Sequence, residues 1–140
     1  MTHKTALVTG ASDGIGLEFC TILAARGYHL ILVARRKEKL NALAKHLMTK
    51  HKTIQCTVMS ADLGKPQAAQ KLFQTTLKKG LQVDFLVNNA GLLHNGYFTA
   101  LDLQAQEQMI TVNMLALTAL THLFANDMAS RGAGHILNVA

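Results

Sequence analysis

The sequence predicts an α/β fold in which helices cover both faces of a parallel sheet. Strand-like apolar runs alternate with helical segments along all 140 residues, and 49% apolar against 16% charged residues suits strands that are buried on both faces. Parallel strands joined by right-handed helical crossovers give a doubly wound sheet, for which we expect strand order 3-2-1-4-5. The length fits one domain over residues 1–140.

Apolar runs and turn residues place the individual elements. The strands are expected over residues 5–9, 28–34, 54–59, 83–88 and 135–139. The first helix should end at Gly27, and the third should run from near Pro66 to Gly80, because proline starts helices and glycine ends them. A helical pattern from Leu101 to about Arg131 predicts two helices with a break near Asn113.

Helical spacing of apolar residues predicts the faces that pack on the sheet. In the first helix this face is Ile15, Phe19, Ile22 and Leu23. In the second helix it is Leu40, Leu43, Ala44 and Leu47, and in the third Ala69, Leu72, Phe73 and Leu77.

The net charge of +6 lies entirely in the first half, where residues 1–69 hold ten Lys/Arg against four Asp/Glu. Seven of these bases fall between Arg35 and Lys52 and are interpreted as the solvated face of the second helix. No aromatic residues alternate with them, so we expect no nucleic-acid partner. The longest apolar run, Met114 to Ala125, is too short for a membrane span, and we expect a cytoplasmic protein with Cys20 and Cys56 reduced.

A glycine-rich turn follows the first strand, with Gly10, Gly14 and Gly16 in seven residues. Glycine tolerates positive φ and leaves room beside the backbone, and a helix that starts here points free N–H groups at an anion. The turn is interpreted as a pyrophosphate site for a dinucleotide. Taken alone, this spacing is equally consistent with an ordinary tight turn.

Three further segments, together with the glycine turn, match one family in order and spacing. The four segments are Thr9-Gly10-x-x-x-Gly14-x-Gly16, Ala61-Asp62-Leu63, Asn88-Asn89-Ala90-Gly91 and Val112-Asn113. Jointly they resemble the short-chain dehydrogenase/reductases over essentially the whole chain. The resemblance implies a Rossmann-type sheet, here truncated before its sixth strand, and an NAD(P)-dependent oxidoreductase.

The resemblance also implies the cofactor-binding residues. Asp62 should contact the adenine amino group, the backbone around Leu63 should frame the ring, and Asn88 to Gly91 should stabilise the central strand and line the adenosine side. Asp62 could instead cap the helix ahead of Pro66, and the asparagines could simply satisfy a buried turn. The full predicted set is Thr9, Gly10, Ser12, Asp13, Gly14, Ile15, Gly16, Arg35, Arg36, Asp62, Leu63, Asn89, Ala90 and Gly91.

Cofactor choice depends on the end of the second strand. NAD-using members usually place an acid there to bind the ribose hydroxyls, whereas this chain has Ala34 followed by Arg35. A guanidinium can bind a 2′-phosphate through paired charge-assisted hydrogen bonds, so NADP(H) is preferred over NAD(H). Ser12 and Arg36 are expected to help Arg35, and Asp13 is an unfavourable acid near the phosphate.

The family's catalytic Ser and Tyr-x-x-x-Lys do not occur in these 140 residues. The two tyrosines, Tyr28 and Tyr97, are followed four residues later by leucine, and no lysine follows Lys79. Asn113 alone of the catalytic group remains. The chain therefore resembles the amino-terminal half of an NADP(H)-dependent oxidoreductase and should be inactive alone; the alternative is a non-catalytic NADP(H)-binding module.

The resemblance implies the partners as well. We expect a small-molecule carbonyl or alcohol substrate for the full-length form. Relatives commonly associate through the long helix, so a homo-oligomer through Leu117, Leu120, Leu123, Phe124 and Met128 is expected.

Overall fold

The computed structural model describes residues 2–140 and contains one five-stranded parallel sheet in the order β3-β2-β1-β4-β5. The predicted fold class and strand order are confirmed. In chain order the elements are β1 (Thr5–Thr9), α1 (Gly14–Ala25), β2 (His29–Ala34), α2 (Lys37–Lys50), β3 (Cys56–Ser60), α3 (Ala68–Lys78), β4 (Phe85–Asn88), α4 (Leu103–Ile110), a π-helical segment (Thr111–Ala116), α5 (Leu117–Arg131) and β5 (His135–Asn138).

Strand β1 lies at the centre of the sheet and pairs with β2 on one side and β4 on the other. Val8 is paired with Leu32 of β2 on one side and with Val87 of β4 on the other. Because all strands are parallel, their carboxyl ends meet along one edge of the sheet. The chain leaves β1 towards α1 on one face and leaves β4 towards α5 on the other, so the strand order reverses beside β1.

Two apolar cores separate the sheet from its helices. Alternate strand residues face opposite sides, so Val8 packs with α1 and α2 while Leu7 packs with α3 and α5. The four apolar residues predicted for α2 are all buried, which confirms that face. In α5, Leu120, Phe124 and Met128 are buried against the sheet.

Helix α1 uses its predicted face only in part, since Leu23 is buried and Phe19 packs against the core. Ile15 and Ile22 are exposed, at 61% and 49%, whereas Cys20 and Ala24 are buried. Gly16, Cys20 and Ala24 recur every four residues, and these small side chains allow α1 to lie close to the sheet. Apolar periodicity favoured the larger residues of the helix and therefore missed the small residues on the side that packs.

Two strands begin two residues later than predicted. Ile54 and Val83 lie two residues before β3 and β4 and are buried without being part of either strand. Their apolar side chains extended the predicted strands towards the amino end because buried loop residues are apolar too. Helix α3 begins at Ala68 and not near Pro66, because Gln67 adopts a left-handed conformation with φ of 58°. The predicted stops at Gly27 and Gly80 are confirmed by positive φ values of 81° and 64°.

The break predicted near Asn113 is not present. The chain stays helical from Leu103 to Arg131, and the segment Thr111–Ala116 changes to π-helical hydrogen bonding. Such segments occur frequently at functional sites. By length and composition alone this 29-residue helix could cross a membrane, but one such helix is weak evidence, since a core helix passes the same test.

Candidate functional site

A cleft of about 320 Å³ lies at the carboxyl edge of the sheet, between the segments that follow β1, β2, β3 and β4. This is where open α/β sheets bind ligands. Ten of the fourteen predicted binding residues line it: Gly10, Ser12, Asp13, Arg35, Arg36, Asp62, Leu63, Asn89, Ala90 and Gly91. Sequence reasoning missed Gly64, Lys65 and Gln108 as further lining residues, whereas Val112 belongs to the family-matching segment Val112-Asn113.

The glycine turn is held by very close packing on one side. A Cβ on Gly16 would lie 2.0 Å from the carbonyl oxygen of Gly10 and 2.5 Å from Nδ2 of Asn89. Gly10 itself has φ of +65°, and its Cβ would lie 2.8 Å from the same Asn89 nitrogen. Gly10 and Gly16 are therefore required to bring α1 against the segment after β4.

Thr9 and Asn89 tie this turn to the segment after β4. The Thr9 hydroxyl accepts hydrogen bonds from the backbone N–H of Asn89 at 3.0 Å and of Ala90 at 2.9 Å. In return, Nδ2 of Asn89 donates to the carbonyl oxygens of Thr9 and Gly10, both at 3.2 Å. Thr9 is buried and does not line the cleft, so its role in the site is to position its neighbours.

Gly14 is different, because nothing lies within 4 Å of the position of its Cβ. Its φ is +51°, which favours glycine. No side chain caps the amino end of α1, and Ile15 beside it is 61% exposed. Gly14, Ile15 and Gly16 do not line the cleft themselves, but Asp13 directly before them does. An anion beside the first N–H groups of α1 would be bound by hydrogen bonds and by the helix dipole.

The end of the cleft beside α2 is basic. The Asp13 carboxylate forms ion pairs with the Arg36 guanidinium and with Lys39 Nζ at 2.9 Å, and the Ser12 hydroxyl donates to it at 3.2 Å. The Lys39 hydrogen bond, followed by the Ser12 hydroxyl and the Arg36 charge, holds the pKa of Asp13 below its usual value. Arg35 lines the same cleft, and its guanidinium has no hydrogen-bond partner among residues 2–140.

The opposite end of the cleft is formed after β3. Asp62 Oδ1 accepts a hydrogen bond from the Gly64 N–H at 2.9 Å, which shapes the loop there. Asp62 is not the cap of α3, because Gln67 occupies that position. Leu63 is buried under the loop. Val112, from the π-helical segment, lines the same end of the cleft, so this pocket has an apolar wall beside a carboxylate.

Asn113 joins the π-helical segment to the loop after β4. Its Oδ1 accepts from the Leu92 N–H, and its Nδ2 donates to the Leu92 carbonyl oxygen, both at 2.8 Å. Both ends of the side-chain amide thus contact Leu92 and fix the loop just after Gly91. Asn113 itself does not line the cleft.

The remaining reactive groups in the described part of the chain do not form a second site. Burial raises the pKa of Cys20 to about 12 and that of Cys56 to about 11, so both thiols stay protonated near neutral pH. Within residues 2–140, no three His, Cys, Asp or Glu side chains lie together as metal ligands would.

The sheet order, the glycine turn and the cleft at the carboxyl edge define a nucleotide-binding protein of the Rossmann type. The family model described as short chain dehydrogenase matches residues 4–140. The chain belongs to the short-chain dehydrogenase family.

Individual relatives agree with this assignment. The very-long-chain 3-oxoacyl-CoA reductase of Pyrenophora tritici-repentis is 38% identical over 138 residues, which cover 96% of this chain and 40% of that protein. The structure of a 7β-hydroxysteroid dehydrogenase superposes with a TM-score of 0.91 at 31% identity, covering 98% of this chain and 53% of the other. A short-chain dehydrogenase from Sphingobium yanoikuyae in complex with NADPH gives a TM-score of 0.89 at 36% identity, covering 96% and 52%.

Proposed function

We propose that this chain is the NADP(H)-binding part of an oxidoreductase that interconverts a carbonyl and a hydroxyl group on a small molecule. One observation carries the proposal: a single cleft is lined by Gly10, Ser12 and Asp13 of the glycine turn and by Arg35, which directly follows β2 and forms no ion pair within residues 2–140. The chain spans 40% of the length of the 3-oxoacyl-CoA reductase described above. Family membership therefore does not establish a substrate or a reaction for this chain, and both are proposed here.

The uncapped amino end of α1 is the proposed pyrophosphate site. Gly14 leaves open space where a side chain would otherwise project, and the first N–H groups of α1 have no side-chain partner. A diphosphate there would satisfy these donors and would be favoured by the helix dipole. Gly10 and Gly16 serve this site indirectly, since they allow the turn to form.

Arg35 is the proposed ligand of the 2′-phosphate, with Ser12 and Arg36 beside it. Ala34 ends β2, so no acid at that position repels a phosphate. Arg35 is exposed, lines the cleft and has no ion-pair partner in the described part of the chain. Its guanidinium can therefore form two charge-assisted hydrogen bonds with a phosphate without first breaking an existing pair.

The pocket after β3 is the proposed adenine site. Gly64 fixes one carboxylate oxygen of Asp62, which orients the other as an acceptor for an exocyclic amino group. Leu63 and Val112 supply apolar surface for the ring. Asn89, Ala90 and Gly91 line the cleft between this pocket and the glycine turn.

When bound, the nicotinamide of such a cofactor donates or accepts the hydride. Within these 140 residues, Asn113 holds the loop after β4 in place, and Ile15 exposes an apolar side chain next to the proposed pyrophosphate site. Proton transfer in this family needs a tyrosine and a lysine that this sequence lacks. We therefore propose that the 140 residues alone bind cofactor without turnover.

A second candidate is a non-catalytic NADP(H)-binding module, which would use the same cleft. The two candidates differ in one readily obtained fact, the coding sequence after Ala140. An in-frame serine followed by Tyr-x-x-x-Lys supports the oxidoreductase, whereas a stop codon with a separate binding role supports the module.

We also propose that the chain resides in the cytoplasm. We further propose that it self-associates through the long helix. Leu103, Ile110, Met114 and Leu115 are large apolar residues that remain exposed, each by more than half, on α4 and the π-helical segment. Contiguous exposed apolar surface favours an interface. This face differs from the predicted one, because Leu120, Phe124 and Met128 are already buried against the sheet.

Fluorescence titration with NADPH and NADH tests the cofactor proposal. One charged hydrogen-bond partner contributes about 1.5–3 kcal/mol, so Arg35→Ala should weaken NADPH binding roughly tenfold to a hundredfold and leave NADH binding nearly unchanged. Arg26→Ala is the matched control, since Arg26 is exposed at the opposite end of α1. Equal affinity of the wild-type chain for both cofactors would overturn the proposed preference.

A further inference from the structure

Asp13 is an acid placed where the proposed function needs only bases. It lies in the glycine turn and lines the same cleft as Arg35 and Arg36. Its carboxylate pairs with Arg36 and with Lys39, and it accepts a hydrogen bond from Ser12. Asp13 thus engages Arg36, which lines the cleft, and Lys39 in the first turn of α2, whereas Arg35 forms no ion pair within residues 2–140.

These ion pairs connect the glycine turn to the start of α2, and all three side chains are about half exposed. Asp13 precedes α1, but its side chain forms no hydrogen bond with the N–H groups of that helix, so it does not act as a helix cap. Arg36 and Lys39 lie at the start of α2 and are exposed on its surface. Surface ion pairs of this kind contribute little to stability. The grouping therefore points to the chemistry of the cleft and not to the fold.

We propose that Asp13 is a specificity-determining residue, an internal anion that occupies Arg36 and Lys39 and that a 2′-phosphate must displace on binding. This inference rests on the proposed binding of NADP(H). A phosphate monoester carries about −1.5 to −2 charges near pH 7, against −1 for the carboxylate, so it can compete for both cations. The Asp13 charge also repels the incoming phosphate, because the two anions share the same end of the cleft.

This arrangement limits the preference for NADP(H) without abolishing it. Arg35 stays available for the phosphate, while Arg36 and Lys39 become available only when their pairs with Asp13 break. NADH carries no 2′-phosphate and has no reason to break them. Removing the Asp13 charge should therefore affect the two cofactors unequally, with the gain confined to the phosphorylated one.

The test compares Asp13→Asn with Glu18→Gln in titrations with NADPH and NADH. Glu18 is an exposed acid on α1 with no ion pair among residues 2–140, so its variant removes the same charge from the same region without freeing Arg36 or Lys39. We expect Asp13→Asn to bind NADPH about tenfold more tightly than the wild-type chain, with NADH affinity changed less than twofold. We expect Glu18→Gln to bind both cofactors like the wild type.

Two results would overturn the inference while leaving the proposed function in place. One is unchanged or weaker NADPH binding by Asp13→Asn in a chain whose NADPH binding still depends on Arg35. The other is an equal gain for both Asp13→Asn and Glu18→Gln, which would show a general charge effect. By contrast, loss of the Arg35 dependence itself would contradict the proposed function.

A second measurement does not depend on how well the variant folds. The carboxyl carbon of Asp13 can be followed by NMR in the wild-type chain as NADPH or NADH is added at constant ionic strength. Loss of its cation partners should shift the Asp13 resonance and raise its pKa with NADPH and not with NADH. Identical responses to the two cofactors would contradict displacement by the 2′-phosphate.

Discussion

Replacing Gly16 by alanine should damage the fold and the cleft together. The new Cβ would lie 2.0 Å from the Gly10 carbonyl oxygen, which is backbone, and 2.5 Å from Asn89 Nδ2, which is held by hydrogen bonds to the Thr9 and Gly10 carbonyl oxygens. Relieving such overpacking costs about 1–3 kcal/mol, and losing the hydrogen bond between Asn89 and Gly10 costs about 1 kcal/mol more. Alanine regains about 1 kcal/mol of helix propensity. We expect the free energy of unfolding to fall by about 2 kcal/mol.

The matched variant is Gly14→Ala, two residues earlier in the same turn. Its Cβ meets no atom within 4 Å, and the only cost to the fold is the left-handed backbone, about 1 kcal/mol. This Cβ projects into the proposed pyrophosphate site, so binding should fall while the fold persists. Circular dichroism in urea gives the stability, and NADPH titration gives the binding.

The two variants separate a structural glycine from a ligand-contacting one. Gly16→Ala should lose both stability and binding, whereas Gly14→Ala should lose mainly binding. A Gly16→Ala chain with wild-type stability would refute the close packing of α1 on the segment after β4. A Gly14→Ala chain with normal NADPH affinity would mean that the open space at this turn is not a phosphate site.

Three further predictions concern stability. Thr9→Val removes the acceptor of two backbone N–H groups at nearly constant volume, so urea unfolding should show a loss of about 1–3 kcal/mol; an unchanged midpoint would contradict the hydrogen bonds assigned to Thr9. Gln67→Gly relieves a left-handed φ of 58° and should leave thermal stability equal or slightly raised, whereas Gln67→Val should lower it. Burial, followed by the charge of His3, lowers the pKa of His29 from 6.5, so the folded state binds fewer protons than the unfolded state. The free energy of unfolding should therefore fall as the pH drops below about 6.5. The His29→Gln variant should show a shallower fall over the same pH range.

The alternation of strands and helices was sufficient to predict the strand order, and the family resemblance supplied most of the residues that line the cleft. Parallel strands that alternate with helices have few possible arrangements, and the residues after each strand necessarily meet at one edge. Asp62 and Asn89 are 27 residues apart in sequence, yet they line the same cleft for this reason. The sequence could therefore indicate the site without any knowledge of side-chain contacts.

The parts that sequence reasoning missed depend on packing and charge pairing. Close approach, and not hydrophobicity, selects the buried side of α1, so Cys20 and Ala24 are buried where Ile15 and Ile22 were expected. The sequence did not single out Lys39, because Lys39 lies in α2 and its partner Asp13 lies in the glycine turn, 26 residues earlier. Only the folded chain brings the two side chains together. The only sequence signal of Lys39 was its position in the first turn of a basic helix.

The most direct test of the central claim is to map NADPH binding by amide chemical shifts in the isotopically labelled chain. If the cleft binds the cofactor, the largest shifts should fall in three separate segments: residues 10–16, residues 62–64 and residues 89–91. The Arg35 side-chain resonances should move with NADPH and much less with NADH. Shifts confined to other surfaces, or no shifts at millimolar NADPH, would contradict the claim that this edge of the sheet is an NADP(H) site.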